Sequence, residues 1–358
     1  FSIPMSQPDI TESEREAVNS VLRTTYLSMG PYLNEFENSL REFTGSAHAI
    51  AVSSGTAGLH LSVRAAGWGD NDWVITSPFS FVSSTNVLLY ERITPIFVDV
   101  DPMTGNIDPQ QVEQAVHDLT FSRAAAQKWL PPKGVSDSGQ LKGMIAIDVF
   151  GQPADFDALR TITDPFQLKV IEDSCEALGA EYKNRKAGTL GDFGVFAFYP
   201  NKQITTGEGG LVITNHDEDA DKIRAMRNQG RAPGDTWLEH TYLGYNYRMD
   251  ELSAALGAAQ MKRIQELMAA RQRVADWYRA ELSSVPGITC PVVAPTTTRS
   301  SWFVYVIRLD RGIDRKSLSE KLEALGIPVR PYFSPIHFQP YIREKFGYQK
   351  GRFPVTED

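Results

Sequence analysis

The sequence predicts an α/β protein: a large domain built on a mostly parallel seven-stranded sheet flanked by helices, followed by a smaller C-terminal α/β domain. Two observations carry this expectation. Seven short apolar, β-branched runs, at 49–54, 73–77, 95–100, 144–150, 168–174, 193–198 and 210–215, are separated by helical or polar stretches. Runs of that kind suit strands buried on both faces of a helix-wrapped sheet. An Ala-rich, helix-periodic stretch at 249–283 then precedes a new β-α-β pattern.

Ahead of the strands, residues 10–25 read as a helix opened by a capping box, Thr11 with Glu14 three positions later. A second amphipathic helix follows at 30–45, with Leu33, Phe36, Leu40 and Phe43 at helical spacing. The segment 118–142 is longer than most crossovers and rich in Pro, Gly and Ser in its second half, so it is expected to be a helix end followed by a mobile surface loop. The stretch at 249–283 exceeds a simple crossover and is expected to bridge two domains as one helix. Beyond it, 301–309 and 327–333 read as strands around a helix at 314–326. The expected division is therefore a large domain over 1–248, an interdomain helix over 249–284 and a small domain over 285–358. Because the chain starts without Met and stops soon after this pattern, the small domain is expected to be incomplete.

A chain of 358 residues with 42% hydrophobic and 22% charged content can bury a core for two domains. Its net charge of -8 leaves no basic surplus for a phosphodiester backbone or an anionic bilayer, so neither nucleic acid nor membrane is expected as a partner. Only Cys175 and Cys290 are present, which fits a reducing compartment and a cytoplasmic address. No apolar run approaches the roughly 20 residues that span a bilayer, and the first residues lack the order of a signal peptide. No His and Cys cluster has ligand spacing, so no metal is expected.

Three short motifs carry chemistry. "SSGTAG" places Ser53, Ser54, Gly55, Thr56 and Ala57 at a strand-to-helix turn, where small residues let backbone N–H groups face an anion; such a turn is also an ordinary helix cap. "VIEDS" ends a strand with Glu172 and Asp173, putting a carboxylate where open α/β sheets hold ligands; the alternative is a cap for the next helix. Lys202 follows Phe196, Phe198, Tyr199 and Pro200 and precedes a glycine-rich turn, so it either snorkels from a core or is kept uncharged for chemistry. One cofactor uses all three. Pyridoxal 5'-phosphate offers a phosphate for the Thr56 and Ala57 amides, a pyridine nitrogen for Asp173 and an aldehyde that Lys202 captures as a Schiff base. Phe81, in "SPFSF", is the candidate to lie flat against the ring, with a core phenylalanine as the alternative.

The motifs "SSGTAGL", "SPFSF", "PIFVDVD", "VFGQPAD", "IEDSCEALGAEY", "GTLGDFGVFAFYPNKQITTGEGG" and "LGYNYRMDELSAAL" together resemble the StrS/DegT group of sugar aminotransferases, pyridoxal phosphate enzymes of fold type I. The likeness runs in order along nearly the whole chain. It implies a homodimer with active sites at the subunit interface, a nucleotide-linked keto-sugar as acceptor and L-glutamate as amino donor, in amino-sugar formation for surface polysaccharide or antibiotic biosynthesis. It also implies Thr56 and Ala57 at the phosphate, Phe81 on the ring, Asp173 at the ring nitrogen, Lys202 as Schiff-base lysine and proton shuttle, and Asn246 reaching the neighbouring subunit's phosphate. Two positions depart from the pattern. The family commonly carries a serine where this chain has Ala197, so Asn201 or Ser54 would supply the missing phosphate donor. Near the ring hydroxyl many members have Gln or His, whereas here stands Glu176, expected to be protonated or turned toward the amino donor.

Rival readings remain on the same scaffold. A keto-sugar dehydratase would carry histidine in place of Lys202, and an aminobenzoate synthase shares the scaffold. A catalytically inactive regulatory or scaffold homologue would not need Lys202 and Asp173. No G-x-G-x-x-G turn supports a nicotinamide dehydrogenase. Arg330, Tyr332 and His337 fall where the small domain of the family closes over substrate, with a structural role for the lone loop histidine as the alternative. His60 is expected to face a helix neighbour, Glu208 to set a turn, and Trp302, Phe303 and Tyr305 to pack between domains.

Overall fold

The computed structural model describes residues 4–136, 138–236 and 238–358. Residues 1–3, Asp137 of the expected surface loop and Trp237 lie outside the described residues. The chain opens with α1 (Glu12–Leu22) and α2 (Pro31–Thr44). The capping box forms at the first, where Thr11 N donates to Glu14 Oε2 at 2.7 Å. Pro31 opens α2 at a position that needs no N–H donor, and Gly45 closes it in the left-handed conformation.

Strands and helices then alternate: β1 (His48–Val52), α3 (Gly55–Ala65), β2 (Trp73–Thr76), α4 (Ser83–Tyr90), β3 (Thr94–Phe97), α5 (Pro109–Phe121), α6 (Arg123–Ala126) and β4 (Leu141–Ile147). After them come α7 (Phe156–Thr163), β5 (Lys169–Asp173), the short β6 (Glu181–Tyr182) and β7 (Arg185–Lys186), β8 (Phe193–Ala197), β9 (Gly210–Thr214) and α8 (Asp217–Arg227). Seven strands form one sheet in the order β1-β9-β8-β5-β4-β2-β3. Only β9 runs against its neighbours, so the sheet is mostly parallel, as expected. Alternating side chains feed two layers: Ile50 and Val52 pack with α3, while Ala49 and Ala51 face Leu33 and Phe36 of α2.

The structure departs from the sequence-based expectation in four places. The single helix at 249–283 is two helices, α9 (Glu251–Lys262) and α10 (Ile264–Leu282), because Arg263 leaves helical geometry at φ -107°, ψ 6°. Its guanidinium is drawn to Asp9 at 2.9 Å, Glu14 at 3.1 Å and Glu266 at 3.1 Å. Next come β10 (Ile288–Thr289), β11 (Thr297–Arg299), β12 (Arg308–Leu309), α11 (Arg315–Ala324), α12 (Pro340–Phe346) and α13 (Pro354–Glu357). The strand expected over 301–309 shrinks to β12, since Ser301 N and Phe303 N donate to Gly151 O and Phe150 O and are unavailable for a ladder. Residues 327–333 form no strand. Finally, the segment 118–142 begins with the end of α5, as expected, but its loop opens with α6 and buries Ala126 and Leu130, and Trp129 Nε1 donates to Asp118 Oδ2 at 2.9 Å. The chain ends by packing Ile336, Ile342, Phe346, Tyr348 and Phe353 around Phe97 of β3.

One buried carboxylate locks the N-terminal helices to this frame. Glu251 accepts backbone bonds from Gly30 at 2.9 Å, Tyr32 at 2.9 Å and Leu33 at 3.0 Å, satisfying the open N-terminus of α2. Glu251→Ala leaves those donors without a partner and is expected to cost about 3 kcal/mol of stability. Urea unfolding checks this, and an unchanged midpoint contradicts it.

Candidate active site

The C-terminal ends of β5 and β8 and the N-terminus of α3 meet at one edge of the sheet. Gly55 makes that meeting possible: a Cβ there would lie 2.7 Å from Ala197 Cβ and 3.0 Å from Cys175 Sγ. Ser54 caps α3 by accepting from Ala57 N at 3.0 Å. This corrects one expectation, because the Ala57 amide is engaged by its own cap. The first-turn amides of Gly55 and Thr56 have no intrahelical acceptor by geometry and point out of the helix end. Ala197 stands against this turn and brings no hydroxyl. Asn201 has a buried side-chain oxygen with no partner among the described residues, and an amide's oxygen and nitrogen can exchange places by a flip.

Asp173 closes β5 with 5% exposure. Ser84 Oγ donates to its Oδ2 at 2.8 Å and Cys175 N to its Oδ1 at 3.2 Å, so the carboxylate is oriented as well as buried. The neighbouring Cys175 thiol is pushed well above its ordinary range, first by burial and then by the charge of Asp173, with Lys202 opposing.

Lys202 sits in the turn after β8, its side chain only 13% exposed. Its Nζ lies 3.8 Å from Glu176 Oε1 and 4.1 Å from the centre of the Phe303 ring. The apolar neighbours in sequence do not build this niche. Phe196 and Phe198 are buried in the core beside α2, and Tyr199 is exposed. The ring beneath the amine belongs to a residue a hundred positions later, whose expected role in packing is joined here by a contact with the site.

Glu176 is 10% exposed along its side chain, and its Oε2 accepts from Phe150 N at 2.9 Å. Burial lifts its carboxyl to about 6, against the pull of Lys202 and the Phe150 N–H, and Asp173 adds to the rise. A raised carboxyl stabilises the fold fully below its unfolded value and loses that contribution as pH climbs through about 6. Over the whole titration this amounts to about 2 kcal/mol, most of it lost between pH 4.5 and 6. In Glu176→Gln apoprotein that slope is expected to vanish from urea-derived stabilities across the same range. A slope equal to wild type contradicts the assignment.

Other candidates divide. The Phe81 ring is 63% exposed and belongs to no core cluster, which leaves its face available. Tyr332 reaches the site, meeting Phe150 and Phe303 edge-on, and its hydroxyl is pushed up by burial and then by Glu176. Arg330 is exposed and pairs with Glu323. His337 is corrected: it is fully buried, bonds Glu357 at 3.0 Å and packs on Phe338 and Phe353, and burial lowers its pKa. Apolar residues around it claim it for the core. Asn246 is exposed, and the stacked rings of Tyr245 and Tyr247 on either side turn inward toward His60. His60 itself bonds Glu91 and Tyr247. In the glycine-rich turn Thr206 Oγ1 bonds Glu208 O at 2.6 Å, leaving the Glu208 carboxylate in solvent.

Local sequence reading missed Phe150, Phe303, Gln203 and Ser301. Gln203 donates to Glu176 O and to Ser301 Oγ, the latter at 2.8 Å. No motif marks such contacts, which exist only once distant segments meet.

The residues present fit pyridoxal phosphate: free first-turn amides with a small-residue approach, an oriented buried acid, an exposed ring face, an orphaned amide at Asn201 and an enclosed amine. Known proteins agree with that chemistry. GDP-perosamine synthase of Caulobacter vibrioides is 36% identical over 342 residues, spanning 94% of this chain and 86% of that protein. The spore coat polysaccharide biosynthesis protein SpsC of Bacillus subtilis is 34% identical over 365 residues, 98% of this chain and 88% of its own length. Among solved structures, Helicobacter pylori PseC, an aminotransferase involved in the biosynthesis of pseudoaminic acid, aligns with a TM-score of 0.87 at 27% identity, covering 100% of this chain and 92% of that one. From residue 8 to residue 358 the sequence matches the model of the DegT/DnrJ/EryC1/StrS aminotransferase family, and the chain belongs to that family.

Proposed function

We propose that this chain is a pyridoxal phosphate-dependent enzyme that moves the amino group of L-glutamate onto a nucleotide-linked keto-sugar. The observation that carries the reading is that Lys202, Glu176 and Asp173, all largely buried, lie together beside the α3 N-terminus. Bound pyridoxal phosphate supplies an aldehyde and an electron-withdrawing ring that stabilises a carbanion. Asp173 keeps the ring nitrogen protonated, and the Gly55 and Thr56 amides hold the phosphate. Lys202 Nζ holds the cofactor between turnovers. Once released, it takes the proton from the α-carbon of glutamate, and in the second half-reaction it delivers a proton to the sugar carbon that receives the amine. Phe81 covers the ring, and Tyr332 borders the space for substrate.

The reading includes a homodimer in which Asn246 reaches the neighbouring subunit's phosphate. Its support is the exposure of Asn246 together with exposed Leu238, Tyr242 and Leu243 on the same loop. Two unpaired cysteines accord with a cytoplasmic setting, and among the described residues no helix is long and apolar enough to cross a membrane.

A panel of nucleotide keto-sugars incubated with L-glutamate tests the activity. The expected result is 2-oxoglutarate release that depends on one of the sugars and matches it mole for mole. Release with none of them, by cofactor-loaded protein, would overturn the proposal.

A further inference from the structure

Arg271, in the middle of α10, is partly buried, and among the described residues it has no carboxylate partner. Its guanidinium instead donates to three main-chain oxygens: Nη2 to Lys202 O at 2.6 Å, and Nη1 to Trp302 O at 3.1 Å and Phe303 O at 3.2 Å. Burial lowers its pKa, and no acid offsets that cost. The planar fork of arginine can hold two chain segments at a fixed separation, which a lysine ammonium does less well.

The two segments are those that border the site. One carries Lys202, and the other carries Phe303, over whose ring the Lys202 amine rests at 4.1 Å. Both are tied a second time, by Gln203 Nε2 to Ser301 Oγ at 2.8 Å and by Trp302 Nε1 to Gln272 Oε1 at 2.9 Å. We propose that Arg271 is a positioning residue for the Lys202 amine: it fixes the lysine's own peptide and the ring under its nitrogen relative to each other. The proposal rests on Lys202 being the cofactor lysine. It predicts that Arg271 governs how readily that amine attacks an aldehyde, not how well the phosphate and ring are held.

The test adds pyridoxal 5'-phosphate to full-length apoprotein and follows covalent attachment, in which the Lys202 amine bonds to the aldehyde carbon and one water leaves. Pyridoxamine 5'-phosphate, which has no aldehyde, measures pocket integrity in parallel. In Arg271→Met the attachment rate is expected to fall at least about tenfold while pyridoxamine phosphate binds within about twofold of wild type; Arg271→Lys recovers part of the rate. Attachment at the wild-type rate overturns the proposal. So does a parallel loss of pyridoxamine phosphate binding, which marks a merely structural arginine. Should Arg271→Met fail to fold, Arg271→Lys decides alone, by slowed attachment with intact pyridoxamine phosphate binding or by wild-type behaviour. If wild type itself forms no borohydride-reducible bond, the proposed function fails first and takes this inference with it; if wild type attaches normally and the variants match it, only the role of Arg271 falls.

Discussion

Lys202→Ala is expected to abolish transamination, lowering kcat by about 10⁴-fold or more. In the proposed function two jobs would fall on one nitrogen: holding the cofactor covalently between turnovers and carrying the proton in both half-reactions. Among the described residues no other amine is placed to replace it: Asp173, Cys175 and Glu176 lie near Lys202, and the Phe303 ring lies beneath its amine. The folded chain should survive the change, since the lysine's Nζ makes one loose ion pair at 3.8 Å and one ring contact. A secondary signature follows from charge. Lys202 holds the Glu176 carboxyl down, so its removal should raise that carboxyl above about 6. Single-turnover assays with pyridoxamine phosphate and keto-sugar check the first effect, and the pH dependence of apoprotein stability checks the second. Residual kcat within tenfold of wild type would contradict the assignment.

Asp173→Asn is the second large effect. The amide keeps the size of the side chain and a contact with Ser84, but it carries no charge to hold a proton on the pyridine nitrogen. An opposite charge in contact shifts a partner by one to three pKa units, so its loss is expected to lower kcat by about 10² to 10³-fold. Covalent attachment at Lys202 should persist, because the aldehyde condenses without the ring proton. Ser84→Ala, which removes only the orienting hydrogen bond, should lose far less. Steady-state kinetics with the attachment level measured in the same samples separates these outcomes. An Asp173→Asn enzyme with wild-type kcat would place the acid elsewhere.

The sheet was legible in the sequence because strands buried on both faces must be continuously apolar, and each of the seven runs became a strand of it. The position of Asp173 at a strand end was legible for a related reason, since the apolar run ends on it, and the structure buries it there. What escaped is what tertiary contact decides. The break at Arg263 depends on acids far along the chain, Asp9 and Glu14. The missing strand over 301–307 depends on backbone donors committed to Gly151 and Phe150. The sequence left His337 open between a substrate contact and a structural histidine because a histidine in a loop carries no mark of burial, and the structure encloses it in aromatic rings. The niche around Lys202 was expected from its sequence neighbours, and the structure builds it from Glu176 and Phe303 instead.

The most direct check on this account asks which nitrogen the cofactor's aldehyde meets. Protein loaded with pyridoxal phosphate is reduced with borohydride, digested and mapped by mass spectrometry. The account predicts that the pyridoxyl group resides on the peptide containing Lys202 and leaves the other lysines unmodified. A label on a different lysine, or no label on protein that binds the cofactor, would contradict it.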